Sequence, residues 1–252
     1  MDFENMATER CAILSDIHAN ARAFRSALEI ARSVGYDRLI ILGDLLSYGC
    51  DIRETLDLVH LEINNGAYLV EGNHDRMYLD LLSGDSKYYN SLPDWLRESV
   101  DFTLEELDPD SFFSLPWQEE LGLGNALLAH ANPFGFGDWT YLNTSEQRNR
   151  ARDTLMNRGF QIGVFGHTHR AYVDPPGVFP WLANPGSIGQ PRGTGTASLL
   201  LLDLGASAPE SNLINVPYDV AGQKGALWDS SMSEPTRVRL CSYFDQVPHQ
   251  NI

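Results

Sequence analysis

Five of the seven histidines, His18, His74, His130, His167 and His169, each follow a short apolar run, and Asp16, Asp44, Asn73 and Asp75 stand beside them. Imidazole, carboxylate and one amide oxygen, with no thiolate among them, make a donor set for Mn, Fe or Zn, and the overlap of their affinities makes no choice between these ions. Asp16 and His18 lie two residues apart, as do His167 and His169, and in extended backbone that spacing turns both side chains of a pair to one face. A lone His or Asp beside a strand is ordinarily a cap or a solvated surface group, and His60 and His249 are read that way. A whole set of such groups is different. Titratable side chains gathered at strand ends cost stability unless something binds them, so the set points to held ions.

The elements that must position these residues are legible from periodicity. Apolar runs at 11–14, 38–42 and 67–70 stop at Ser15-Asp16, Gly43-Asp44 and Gly72-Asn73-His74-Asp75, and segments 19–32 and 52–63 between them carry apolar residues at helical spacing. Continuous apolar strands alternating with helices predict a parallel sheet covered on both faces. In such sheets ligands bind beyond the carboxyl ends of the strands, which is where the histidines fall. Gly43, Gly72 and Gly166 precede three of the groups and allow the sharp turns this needs.

Residues 76–118 mix charge, aromatics and prolines and read as a helical insertion, with Ser91-Leu92-Pro93-Asp94 as a capping box for a helix over 95–107. Strands are expected at 125–131 and 162–165, with a helix over 146–158 capped by Thr144 and Gln147. Runs at 181–183, 197–204 and 212–216 are expected to form a second sheet packed against the first. No Ser/Gly-rich linker interrupts the chain, so residues 1–252 read as a single domain with a polar tail from about 241 to 252.

Composition narrows the partners. A formal net charge of −16 repels phosphate backbones and anionic lipid, which argues against non-specific nucleic-acid binding and against a membrane partner. No apolar run approaches the roughly 20 residues of a membrane span, and the N-terminal residues lack the pattern of a signal peptide. Three widely spaced cysteines, Cys11, Cys50 and Cys241, suit a reducing compartment, and a cytoplasmic location is expected. The chain has no phosphate-binding G-x-x-x-x-G-K-[ST] loop and no H-E-x-x-H, and Pro185 occupies the first glycine position of a nucleophile elbow around Ser187.

Taken in order, Ser15-Asp16-Ile17-His18, Gly43-Asp44, Gly72-Asn73-His74-Asp75, Ala129-His130 and Gly166-His167-Thr168-His169 resemble the five motifs of the calcineurin-like metallophosphoesterases. The resemblance runs from about Cys11 to Arg192 and is closest to the small bacterial and archaeal phosphodiesterase-like branch. It implies an α/β fold, a two-sheet β-sandwich flanked by helices, and a metal-dependent phosphoric ester hydrolase. It further implies one divalent or trivalent ion held by Asp16, His18 and His169, a second held by Asn73, His130 and His167, and Asp44 bridging them. Ions about 3.5–4 Å apart share a hydroxide for in-line attack and clamp the phosphoryl oxygens. Two such ions also reverse the local sign of an acidic surface.

The same resemblance implies that His74 stabilises the phosphoryl transition state or protonates the leaving oxygen, with Asp75 expected to fix its tautomer. The stretch Asn184-Pro185-Gly186-Ser187 through Arg192 is also similar to this branch, and Arg192 is expected to meet a substrate phosphate ahead of Arg76 or Arg170. The implied substrate is a soluble small-molecule phosphate ester, a phosphodiester or nucleotide. The alternatives are a phosphomonoester or phosphoprotein phosphatase and, in another class, a non-catalytic interaction scaffold on the same fold. Tyr78, Tyr88, Tyr89 and Trp95 in the insertion offer rings for stacking on a base, although the spacing of Trp95, Leu96 and Val100 is that of a core-facing helix.

Overall fold

The computed structural model describes residues 10–175, 178–193, 196–205 and 210–245. Two five-stranded sheets pack face to face with helices outside them. In the first, β1 (Arg10–Leu14), β2 (Arg38–Ile41) and β3 (Tyr68–Leu69) run parallel, and β9 (Ala197–Asp203) and β10 (Glu210–Val216) continue it antiparallel, in the order β10-β9-β1-β2-β3. The second contains β4 (Glu120–Leu123), β5 (Ala126–Ala129), β6 (Ile162–Phe165), β8 (Trp181–Asn184) and β7 (Tyr172–Val173), in that spatial order.

Alternation along each strand sorts side chains between layers. Ile13 of β1 and Ile40 of β2 face the second sheet, where they meet Leu128 of β5 and Val164 of β6. Ala12 and Leu14 face the other way, into a cluster with Phe24, Ala27 and Leu28 of helix α1 (Ala21–Val34) and with Leu56 and Val59 of α2 (Ile52–Asn64). On the far side of the second sheet, Leu127 and Phe165 are covered by Ala151 and Leu155 of α7 (Ser145–Asn157).

Between the sheets in sequence come α3 (Asn73–Leu82), α4 (Lys87–Asn90), α5 (Asp94–Glu106) and α6 (Pro109–Phe113), which extend the α1 side of the core through Met77, Leu96, Val100 and Phe112. The chain closes with α8 (Val220–Asp229), α9 (Glu234–Ser242) and a 3-10 turn over Tyr243–Asp245. Among the described residues no helix is long and apolar enough to cross a membrane.

Several expectations are corrected. The strands after Pro180 do not make a sheet of their own: β8 joins the second sheet, which already begins at β4, whereas β9 returns to lie beside β1 and β10 pairs with β9 at the edge. Ser198 to Leu202 of β9 is buried along its whole length, so neither face marks which sheet it belongs to. The Ser91–Asp94 stretch is no capping box, because Pro93 occupies the cap position and no side-chain bond is made there, while Thr144 and Gln147 do cap α7 reciprocally. Of the expected polar tail from about 241 to 252, residues 241 and 242 end α9 and Tyr243–Asp245 form the 3-10 turn, while 246–252, His249 among them, lie outside the described residues.

Candidate metal centre

The turns that follow β1, β2 and β6 carry Asp16, His18, Asp44, His167 and His169 in an unusual backbone. Among the described residues eight non-glycine residues have positive φ, and all eight lie in these three turns: Asp16, His18 and Ala19, then Asp44, Ser47 and Tyr48, then His167 and His169. A left-handed conformation costs an L-residue roughly 1–2 kcal/mol, and it persists only where the surroundings over-determine it. Here they do, because the turns are laced together. Asp16 and His18 donate their backbone N–H to the carbonyls of Gly43 and Asp44, both at 3.0 Å, and Gly189 donates to that of Asp16 at 2.9 Å. Gly43 and Gly72 back onto each other so closely that a Cβ on Gly43 would lie 2.3 Å from the Gly72 nitrogen.

Two overlapping donor groups result. Ligand atoms of Asp16, His18, Asp44 and His169 all lie within 4.8 Å of one another, as do those of Asp44, His130 and His167, so Asp44 belongs to both. Each aspartate has one oxygen pinned and the other presented. The Asp16 Oδ2 accepts the backbone N–H of His167 at 3.0 Å, and its Oδ1 stands 3.3 Å from His169 Nε2. The Asp44 Oδ1 accepts that of His74 at 2.8 Å, and its Oδ2 sits between His130 Nε2 at 3.4 Å and His18 Nε2 at 3.8 Å. Asn73 joins the second group, its Oδ1 lying 3.1 Å from His130 Nε2.

The rings are oriented by backbone carbonyls, which can only accept. His18, His130 and His169 donate from Nδ1 to Leu46, Leu42 and Gln190 at 2.9, 2.5 and 2.7 Å, so Nε2 of each faces the centre. His167 is turned the other way, donating from Nε2 to the carbonyl of Trp139 at 3.0 Å and leaving Nδ1 inward. Two observations test whether a cation fits. His18 Nε2 and His169 Nε2 face each other at 3.1 Å, and the buried Oδ1 of Asp16 has no hydrogen-bond partner. Converging acceptors and an orphaned carboxylate oxygen are what a positive ion satisfies, and imidazole with carboxylate oxygen suits Mn, Fe or Zn.

Electrostatics points the same way. Burial opposes ionisation of Asp16 and Asp44, yet the neighbouring histidines, His169 and His130 foremost, hold both carboxyls well below the usual range. Burial also opposes a charge on His130, but Asp44 and Asp16 overcome it and raise that imidazole to about 10. Burial and the nearby His130 push His167 down to about 3.

His74 lies at the edge of the centre, its ring 5.2 Å from that of His18, with burial holding its pKa below the ordinary value. The expectation that Asp75 fixes its tautomer is corrected. The Asp75 carboxylate is spent on the backbone N–H groups of Asp44, Leu45 and Gly72, while His74 meets the Ser47 hydroxyl through Nδ1 at 2.9 Å and the Tyr48 hydroxyl through Nε2 at 3.2 Å. Ser47 and Tyr48 escaped the sequence reading even though they share the turn of Asp44; their nearness to that residue was the available signal. Tyr141, stacked on His167 at 4.1 Å, had no such signal.

Of the insertion aromatics, Tyr78 is buried against Ser47, Tyr89 bonds Asp101, and Trp95 stacks on Tyr48 at 6.0 Å, so none of these three offers a free face at the centre. Tyr88 is exposed and reaches Asn73. Arg192 joins the site through its backbone N–H, donated to the carbonyl of His169 at 3.0 Å, whereas Arg76 is occupied by Glu71 at 2.6 Å.

A family model of the calcineurin-like phosphoesterase superfamily domain matches residues 10–207. The uncharacterized protein MJ0912 of Methanocaldococcus jannaschii is 30% identical over 237 residues, which cover 85% of this chain and 90% of that one. Phosphodiesterase YfcE of Escherichia coli K12 is 26% identical over 191 residues, covering 75% of this chain and 84% of the relative. The crystal structure of a metallophosphoesterase from Sphaerobacter thermophilus aligns with a TM-score of 0.75 at 23% identity, over 94% of this chain and 99% of that one.

Proposed function

Because the chain belongs to the calcineurin-like phosphoesterase superfamily, we propose that it is a two-metal phosphoesterase acting on a soluble small-molecule ester, a phosphodiester or nucleotide. The observation that carries this reading is Asp44, whose carboxylate belongs to both donor groups. In this reading Asp16, His18 and His169 hold one ion, Asn73, His130 and His167 hold the other, and Asp44 serves both. When bound, the ions supply Lewis-acid stabilisation to the phosphoryl group and acidify water.

The chain's own residues do the rest. The backbone N–H groups of His167 and His74 fix the two aspartates, so the negative charge is in place before a substrate arrives and little reorganisation is needed. His74, steadied by Ser47 and Tyr48, is the group to face the leaving oxygen, and Arg192 meets the phosphate. The presence of every ligand together with His74 favours an enzyme over a scaffold, and the likeness to a phosphodiesterase favours a diester.

The test is a panel of bis(4-nitrophenyl) phosphate, 4-nitrophenyl phosphate and a phosphoserine peptide with Mn added. The diester is expected to turn over fastest, and Asp44→Asn is expected to lose both ions together by elemental analysis. A full metal complement in Asp44→Asn rejects the shared carboxylate, and absence of turnover on every ester rejects the enzyme.

A further inference from the structure

The family match ends at residue 207, yet the chain beyond it returns to the site. Helix α9 begins where Ser233 Oγ donates to the Glu98 carboxylate of α5 at 2.7 Å, and Thr236 bonds the same carboxylate. From this anchorage two cationic side chains are set against aromatic rings. The Arg239 guanidinium lies 4.9 Å from the centre of the Trp95 ring, which stacks on Tyr48. Just past the helix, the ring of Tyr243 receives the guanidinium of Arg192 at 5.3 Å.

Arg192 is tied to the metal centre by its neighbours. Gln190 accepts His169 Nδ1 on its backbone carbonyl at 2.7 Å and Arg192 Nη2 on its side-chain oxygen at 2.9 Å. The Arg192 backbone N–H donates to the carbonyl of His169 at 3.0 Å, so the residue is pinned beside a ligand of the centre. The Gln190 amide oxygen and the Tyr243 ring that meet its guanidinium carry no charge, and its buried Nε has no hydrogen-bond partner.

A carboxylate in place of Tyr243 would hold the side chain but cancel its charge. An aromatic face holds a guanidinium through the ring quadrupole and leaves the net charge intact for an anion. We propose that Arg192 and Tyr243 form an arm that grips a non-reacting anionic oxygen of the substrate phosphate at the edge of the metal centre, with Tyr243 as the positioning residue for Arg192. The proposal rests on the phosphoesterase reading of the site, and it gives a segment outside the family-matched residues a part in binding substrate.

The test uses the full chain loaded with Mn and two readouts, calorimetric titration with inorganic phosphate and steady-state kinetics on bis(4-nitrophenyl) phosphate. Tyr243→Leu keeps apolar bulk without the aromatic face, and Tyr243→Phe keeps the face without the hydroxyl. Tyr243→Leu is expected to weaken phosphate binding about three- to tenfold and to raise KM by a similar factor. Its kcat should stay within about twofold and its metal content should not change. Tyr243→Phe should behave as the unaltered protein, and adding Tyr243→Leu to Arg192→Ala should cost nothing further. Unchanged phosphate binding in Tyr243→Leu, or Tyr243→Phe as weak as Tyr243→Leu, overturns the arm. If no ester is hydrolysed, the phosphoesterase reading falls while the phosphate titration still decides the arm, and a protein that binds no phosphate overturns it as well.

Discussion

The carboxylate of Asp75 accepts the backbone N–H of Asp44 at 2.7 Å. Its two oxygens also take the N–H groups of Leu45 at 3.0 Å and Gly72 at 2.9 Å, so one side chain ties the turn after β2 to the start of α3. Burial and the charge of Asp44 push its pKa up to about 7, and the backbone bonds to Leu45 and Gly72 pull the other way. Asp75→Asn keeps the shape and removes an acceptor. It is expected to lower stability by about 1–3 kcal/mol and to loosen metal retention by letting Asp44 drift. Urea unfolding and metal analysis after dialysis check this; an unchanged midpoint with full metal shows that the turn is held without Asp75.

His74 makes no contact that a ligand role would require, since its ring nitrogens meet Ser47 and Tyr48. His74→Ala is therefore expected to keep its metal and lose turnover about 100- to 10,000-fold, the range of a general acid or base. Turnover of a chromogenic phosphodiester at the unaltered rate removes His74 from the mechanism.

Gly72 has an ordinary φ of −94°, so its lack of a side chain matters for space and not for backbone freedom. A Cβ there would lie 2.3 Å from the Asp44 Oδ1 and 2.5 Å from the Asp44 nitrogen. Gly72→Ala is expected to displace Asp44, cost about 1–3 kcal/mol as overpacking does, and weaken binding of both ions. Thermal unfolding with and without Mn measures it: the stabilisation by metal should shrink, and an undiminished shift contradicts the steric account.

Burial and the neighbouring Asp51 push the Cys50 thiol from an ordinary 9.0 up to about 12. Folding thus favours the protonated thiol: this contribution is complete below about pH 9, where the unfolded chain titrates, and is lost as pH rises towards 12. In the folded protein at pH 8, Cys50 should resist iodoacetamide, and in urea it should react. Rapid labelling of the native protein, read by mass spectrometry, refutes this.

The donor set and its placement at strand ends were legible without coordinates, because the apolar runs before Asp16, Asp44 and Asn73 are local patterns and side chains just past parallel strands share one edge. The reciprocal cap of Thr144 and Gln147 was equally local. What the tertiary structure alone decided depends on contacts between distant segments: β9 is apolar on both faces and takes its place only by pairing with β1, and Asp75 finds backbone donors on a turn some thirty residues earlier. Tyr243 meets Arg192 just past a helix whose first turn bonds Glu98 of a distant segment. Residue type sets what a side chain can do, and packing sets which partner satisfies it.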